Sequence, residues 1–289
     1  MRLSIGNPES VRNELPFLGH IAELIRRFLV SLAAFFVLFI LFFIFKPVWV
    51  KLGPITVFYP FPDLFQSFTT DFFNFAKSQL LPPHMLLINL SAFDTFVAIL
   101  YTAMALAAIF SSPIWIYETA SCIGPALKSR EKRILKLILI PATGLFAAGG
   151  LFAYKIILPV IFKFLYAFTL STGVEPTLGV GTFVSTVIAY IVALGLSFEI
   201  PIIMVAISYV GLVSYETWLK NWRYAIVGSF VLALFISPGA TGGIIETTTA
   251  LTLSALYFGG SLVSRTLALR KRNRKGQEEE TGSTDQAVA

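Results

Sequence analysis

The sequence predicts an all-α polytopic membrane protein, with six transmembrane helices, both termini on the cytoplasmic side and the last two helices short. Three observations carry this prediction. Of 289 residues, 56% are hydrophobic and only 13% are charged, against about 25% charged in a soluble domain, and the mean hydropathy is +0.79. The apolar residues are gathered into six stretches separated by polar or charged segments. Seventeen of the 22 Lys and Arg residues fall in the N-terminal segment, the second and fourth connections and the C-terminal tail, which the positive-inside bias assigns to the cytoplasm. The net charge of +6 therefore reports topology and not affinity for nucleic acid.

Residues 1–27 are polar and mixed in charge, ending in His20-Ile21-Ala22-Glu23-Leu24-Ile25-Arg26-Arg27, an alternation that suits a helix lying along the membrane surface. Residues 28–45 have only Ser31 as a polar member and are long enough to span. Lys46-Pro47-Val48-Trp49 follows in place of a small-residue cleavage site, so the span is expected to be retained. Residues 46–92 contain six prolines, and a connection of that length calls for ordered short helices and extended pieces on the outer face. The second span is expected at 93–116, with Ser111-Ser112-Pro113 inside it, and the third at 137–158, bounded by Pro159. A fourth span at 183–210 contains Glu199, and spans five and six cover 224–236 and 244–263. The fifth has only 13 residues, under the usual minimum of about 17, which calls for a thinned bilayer or an incomplete crossing. Pro47, Pro113 and Pro201 are candidate kinks, because proline removes a backbone donor. Residues 1–264 form one membrane domain in this reading. Residues 265–289, with Arg270-Lys271-Arg272 followed by Glu278-Glu279-Glu280, form a charged cytoplasmic tail expected to be disordered.

The chain offers little to catalysis. It has one cysteine, Cys122, and two histidines, His20 and His84, too few for a thiol centre or a zinc site. It lacks a Gly-x-Ser-x-Gly elbow, a His-Glu-x-x-His pair and a glycine-rich phosphate loop. No cofactor is implied and the chain is not expected to be an enzyme. What remains are acids. Glu199 lies about 18 Å along a helix from Gly211, near the bilayer centre, where a carboxylate costs about 2.5–3.5 kcal/mol on insertion scales. It should face a bundle interior, a wet cavity or a partner, or else hydrogen-bond a neighbouring helix for packing alone. Glu246 sits among Thr247, Thr248 and Thr249 in the sixth span. Glu23 precedes Arg26 and Arg27 by three and four residues, spacing that also suits a surface ion pair within one helix. Glu131 is ringed in sequence by Lys128, Arg130, Lys132 and Arg133, in a loop whose positive charge alone would need no acid. Glu118, beside Tyr117 at the edge of the second span, reads as an interfacial residue.

Several segments, taken in order, make the chain resemble the TatC family, the cargo-receptor subunit of the twin-arginine protein translocase. His20-Ile21-Ala22-Glu23-Leu24 is similar to the family's N-terminal His-x-x-Glu-Leu box. Residues 113–118 and 124–133 resemble its first cytoplasmic loop, Phe152-Ala153-Tyr154 with Leu158-Pro159 its third span, and Ser197-Phe198-Glu199-Ile200-Pro201 its intramembrane acid motif. Trp222-Arg223-Tyr224-Ala225 resembles the start of its fifth span. Two departures stand out. Ile25 takes the place of the arginine that follows Glu-Leu in the family box, and Ser237-Pro238-Gly239-Ala240 that of a Thr-Pro-Pro-Asp turn.

The resemblance implies a concave intramembrane face and a receptor in the cytoplasmic membrane for the Arg-Arg signal peptides of folded cargo. Glu23 and Glu131, with Pro125 and Leu127, would bind the peptide; guanidinium pairs bidentately with carboxylate in a way that lysine cannot match. Glu199, with Glu246 as a second intramembrane acid, would meet single-span TatA/TatB-type partners. Export would draw on the protonmotive force within a complex in which this chain forms homo-oligomers. A proton-coupled small-solute transporter using Glu199 is the alternative, although no internal repeat of the kind such transporters carry is visible. A scaffold whose acids only fix helix packing is a third reading.

Overall fold

Helix-forming apolar segments dominate the computed structural model, which describes the backbone of residues 8–52, 55–123, 129–237 and 243–288 and the side chains of 22–48, 59–119, 141–209, 211–237 and 243–270. Two compact units are present, residues 1–75 with 99–143, and residues 76–98 with 144–289.

In the first unit, α1 (Pro8–Ile44) joins the N-terminal segment and the first span in one continuous helix. It stops where Lys46 precedes Pro47, since the residue before a proline is driven out of the helical region. An antiparallel hairpin follows, β1 (Phe45–Leu52) with β2 (Ile55–Pro62), in register from Phe45 opposite Pro62 to Leu52 opposite Ile55. Pro47 pairs with Pro60, which a two-stranded sheet tolerates because neither strand is central. Pro47 therefore terminates a helix and sits in a strand; it kinks no span. The Asp63 carboxylate accepts from the Phe65 and Gln66 amides at 3.0 and 3.1 Å, an Asx turn that leads into α2 (Phe68–Leu80). The buried Thr69 hydroxyl donates to the Phe42 carbonyl at 2.9 Å. Phe42, with Leu106 and Ala107 of α3 (Asp94–Ile123), forms the core of this unit, and Phe35, Leu38, Phe39, Phe68 and Phe72 pack against it. Pro113 lies inside α3 without ending it.

The second unit departs from the expected boundaries. Helix α4 (Ser129–Phe152), whose residues up to Thr143 belong to the first unit, passes through a π-helical turn, Ala153–Ile157, directly into α5 (Leu158–Ser171). Pro159 thus opens a helix and does not bound the span. The carbonyl left without its usual donor by Pro159 belongs to Lys155, which lies inside the π turn, where the bonding pattern has already shifted by one residue. Two short strands, β3 (Leu86–Ile88) and β4 (Thr177–Gly179), pair in parallel. The chain is accordingly mostly helical and not wholly α. Helix α6 (Val180–Ser197) and α7 (Ile200–Val210) together make up the expected fourth span, one apolar segment from Val180 to Tyr209, with the kink at Phe198 and Glu199. Pro201 explains it: its ring opposes the Ser197 carbonyl and it offers no N–H in return. Helix α7 ends at Gly211, at φ +89°, the left-handed cap that glycine favours. The remainder is α8 (Tyr215–Lys220), α9 (Trp222–Ile236) and α10 (Ile244–Val288). Helix α10 runs on through the segment whose composition predicts disorder, and its Lys, Arg, Gln and Glu residues are good helix formers.

Leu158, Ile161 and Phe162 of α5 and Phe183, Tyr190 and Leu194 of α6 form the buried core of this unit, with the Phe162 and Phe183 rings 5.4 Å apart. Four helical segments among the described residues are long and apolar enough to cross a membrane: Ala22–Ile44, Asp94–Thr119, Pro141–Ser171 and Val180–Tyr209. Trp222–Ile236 is apolar but short, as the sequence predicts.

Candidate functional site

Near the start of the first span, α1 places Glu23 and Arg27 one turn apart on the same face, as the i, i+4 spacing dictates. The Arg27 guanidinium donates to Glu23 Oε1 from Nη2 at 2.6 Å and from Nε at 3.1 Å. Its remaining terminal nitrogen, Nη1, reaches across to α3 and donates to Glu118 Oε2 at 3.0 Å. One guanidinium is therefore held between two carboxylates whose residues lie 95 positions apart by number. Exposure is graded through the set: the Glu118 side chain is 16% exposed, Arg27 25% and Glu23 43%. Glu23 is the member most open to a ligand. Beside it runs a groove of about 540 Å³ lined by Leu24, Phe28, Leu32 and Trp115, with Arg27 and Glu118 among its few polar members. Such a site can hold a cation of guanidinium shape next to an apolar segment.

Of the residues expected here from the sequence, only Glu23 can be located by its side chain. Glu131 lies on α4, but its side chain falls outside the described residues, and Pro125 and Leu127 fall outside them entirely. Glu118 is the addition. The sequence places it at a membrane edge, and nothing local signals its partner, because the pairing depends on how α3 packs against α1.

Glu199 and Glu246 occupy the second unit in different settings. Glu199 is the residue before α7, where its side chain makes no cap, and its Oε1 is buried with no hydrogen-bond partner among the described residues. Glu246, in the first turn of α10, is only 6% exposed and accepts a 2.7 Å hydrogen bond from the Ser237 hydroxyl at the end of α9. Tyr190 and Thr249, both fully buried, lie beside this pair, their hydroxyls without a hydrogen-bond partner among the described residues. A buried carboxylate is costly unless hydrogen-bonded, so Ser237 helps to satisfy Glu246 from within the chain. The C-terminal part of this unit is tied by Trp218, whose indole N–H donates to Ser208 Oγ at 2.9 Å, and by Tyr257, whose hydroxyl donates to the Trp218 carbonyl at 2.8 Å. Among the described residues, no three His, Cys, Asp or Glu side chains are grouped to hold a metal ion.

Comparison with known proteins gives a consistent result. Residues 19–247 match the family model described as Sec-independent protein translocase protein (TatC). The chain is 33% identical over 250 residues to the Sec-independent protein translocase protein TatC of Cenarchaeum symbiosum, covering 86% of this chain and 94% of that one. It is 27% identical over 269 residues to the protein of the same name from Escherichia coli, covering 92% and 94%. A crystal structure of the twin-arginine translocase receptor TatC superimposes with a TM-score of 0.69 at 28% identity, covering 86% of this chain and 98% of that one.

Proposed function

Because the chain belongs to the TatC family of Sec-independent protein translocase proteins and is a multi-pass membrane protein, we propose that it is the receptor for twin-arginine signal peptides in its translocase. The observation that carries this reading is the seat at Glu23: a carboxylate already shaped around a guanidinium, partly open, and bordered by an apolar groove. A signal peptide presents the same pair of features, arginines followed by an apolar stretch. Glu23 receives one arginine and Glu131 the other, and Pro125 and Leu127 bind the same peptide. The guanidinium preference follows from its rigid fork, which matches a carboxylate with two parallel donors.

In this reading the chain crosses the cytoplasmic membrane six times with both termini inside, α9 and the first part of α10 supplying the two short spans. Residues up to 264 form the membrane domain, and the charged segment beyond it lies in the cytoplasm. Glu199 and Glu246 face single-span TatA/TatB-type partners, and the complex, with more than one copy of this chain, exports folded cargo on the protonmotive force. Glu199 Oε1, buried without a hydrogen-bond partner among the described residues, supports a partner contact there, since a buried polar atom without a hydrogen bond is rare. The solute-transporter alternative is not favoured, because the family is one of protein translocases, not of solute carriers or catalytic enzymes.

The deciding experiment is photo-crosslinking from a reactive residue at position 23 or 131 to a signal peptide bearing Arg-Arg, with a Lys-Lys version as control. Crosslinks that form with Arg-Arg and fade with Lys-Lys are expected. Equal crosslinks to both, or none in folded protein, would remove the receptor assignment.

A further inference from the structure

The groups around Glu23 do more than supply one carboxylate. Arg27 spends three of its five donors on Glu23 and Glu118, two on the first and one on the second. The protein's own guanidinium therefore occupies the seat that an incoming arginine would use. An empty carboxylate would attract any cation, whereas one already paired must be won by exchange. Exchange is affordable only if Arg27 is not left unpaired when it releases Glu23, because a partly buried charge without a partner is costly. Glu118 is the less exposed of the two acids and sits on the other helix, placed to keep hold of Arg27 during the swap. Counted by themselves, these three side chains carry two negative charges and one positive.

We propose that Glu118 is a specificity-determining residue of the arginine site: it retains Arg27 while the incoming guanidinium replaces Arg27 on Glu23, and it supplies the excess negative charge that draws the ligand in. The proposal rests on the receptor reading given above. Arg27 is a resident competitor for Glu23, and the ligand that displaces it must itself be able to donate in a bidentate fork. A lysine, with a single point of charge, cannot match the two donors that Arg27 gives up, so the competition itself sharpens the choice of arginine over lysine.

The charge balance gives a test that a merely structural ion pair would fail. The full chain in lipid nanodiscs is titrated with a fluorescent peptide carrying Arg-Arg before an apolar stretch, at several salt concentrations, for the unaltered protein, Glu118→Gln, Arg27→Gln and the double variant. Glu118→Gln removes the excess charge and is expected to weaken binding about fivefold, the upper end for a partly exposed pair, and to flatten its salt dependence. Arg27→Gln removes the competitor and is expected to tighten binding while narrowing the preference over a Lys-Lys peptide. The double variant restores one excess negative charge, and its affinity is expected to return to within about twofold of the unaltered protein, whereas loss of a helix tie alone would leave it no better than Glu118→Gln. Unchanged affinity in Glu118→Gln, or a double variant as weak as that single one, would overturn the proposal. Thermal unfolding of each variant identifies any that do not fold, and Arg27→Gln with the double variant then decides. A protein that binds Arg-Arg and Lys-Lys peptides equally before any substitution would instead overturn the receptor reading itself.

Discussion

Two adjacent glycines in α10 should respond in opposite directions to the same small change. A Cβ at Gly260 would stand 2.8 Å from Pro201 Cα and 2.9 Å from Met204 sulfur, whereas one at Gly259 would meet nothing within 4 Å. Pro201 is the residue that breaks the Glu199 segment into α6 and α7, so Gly260 lets α10 lie directly against that break. Ordinary carbon contacts are about 3.5–4.0 Å, so an alanine at position 260 forces the backbone of α7 away by about 0.7 Å or more. The sulfur can move, being at the end of a flexible side chain, but the proline Cα cannot move alone. Overpacking of this kind costs about 1–3 kcal/mol. Both substitutions gain the same helix propensity, about 1 kcal/mol for alanine over glycine, so their difference isolates the packing cost. Gly259→Ala is expected to be neutral or stabilising by up to about 1 kcal/mol, and Gly260→Ala to be less stable than it by about 1–3 kcal/mol. The assay is thermal unfolding in detergent, followed by loss of the monodisperse peak on size exclusion, for both variants side by side. Equal midpoints would refute the close approach of α10 to Pro201.

Two further stability predictions rest on single hydrogen bonds. Ser237→Ala removes a donor from the buried Glu246 carboxylate and is expected to lower stability by about 1–3 kcal/mol, with Ser237→Thr restoring most of it; thermal unfolding at the alanine variant equal to the parent would show that the bond carries no weight. Thr69→Val keeps shape but takes the hydroxyl from the Phe42 carbonyl, so a loss of about 1 kcal/mol is expected, measured by the same unfolding assay, and no loss would remove this tie between α2 and the end of α1.

Sequence alone determined the class of the protein, because apolar runs of span length and the clustering of Lys and Arg are properties of composition along the chain, not of packing. It also located Glu23 and Glu199, and the i, i+4 reach of Arg27 to Glu23, since helical spacing is local. What it could not determine were features in which a distant element overrides a local signal. Pro159 reads as a terminator, yet a π turn one step earlier absorbs it. Glu118 reads as an edge residue, yet the packing of α3 against α1 brings it to the same guanidinium as Glu23. In each case the sequence names the groups, while the deciding quantity is a distance between segments far apart in the chain, which only the tertiary fold sets.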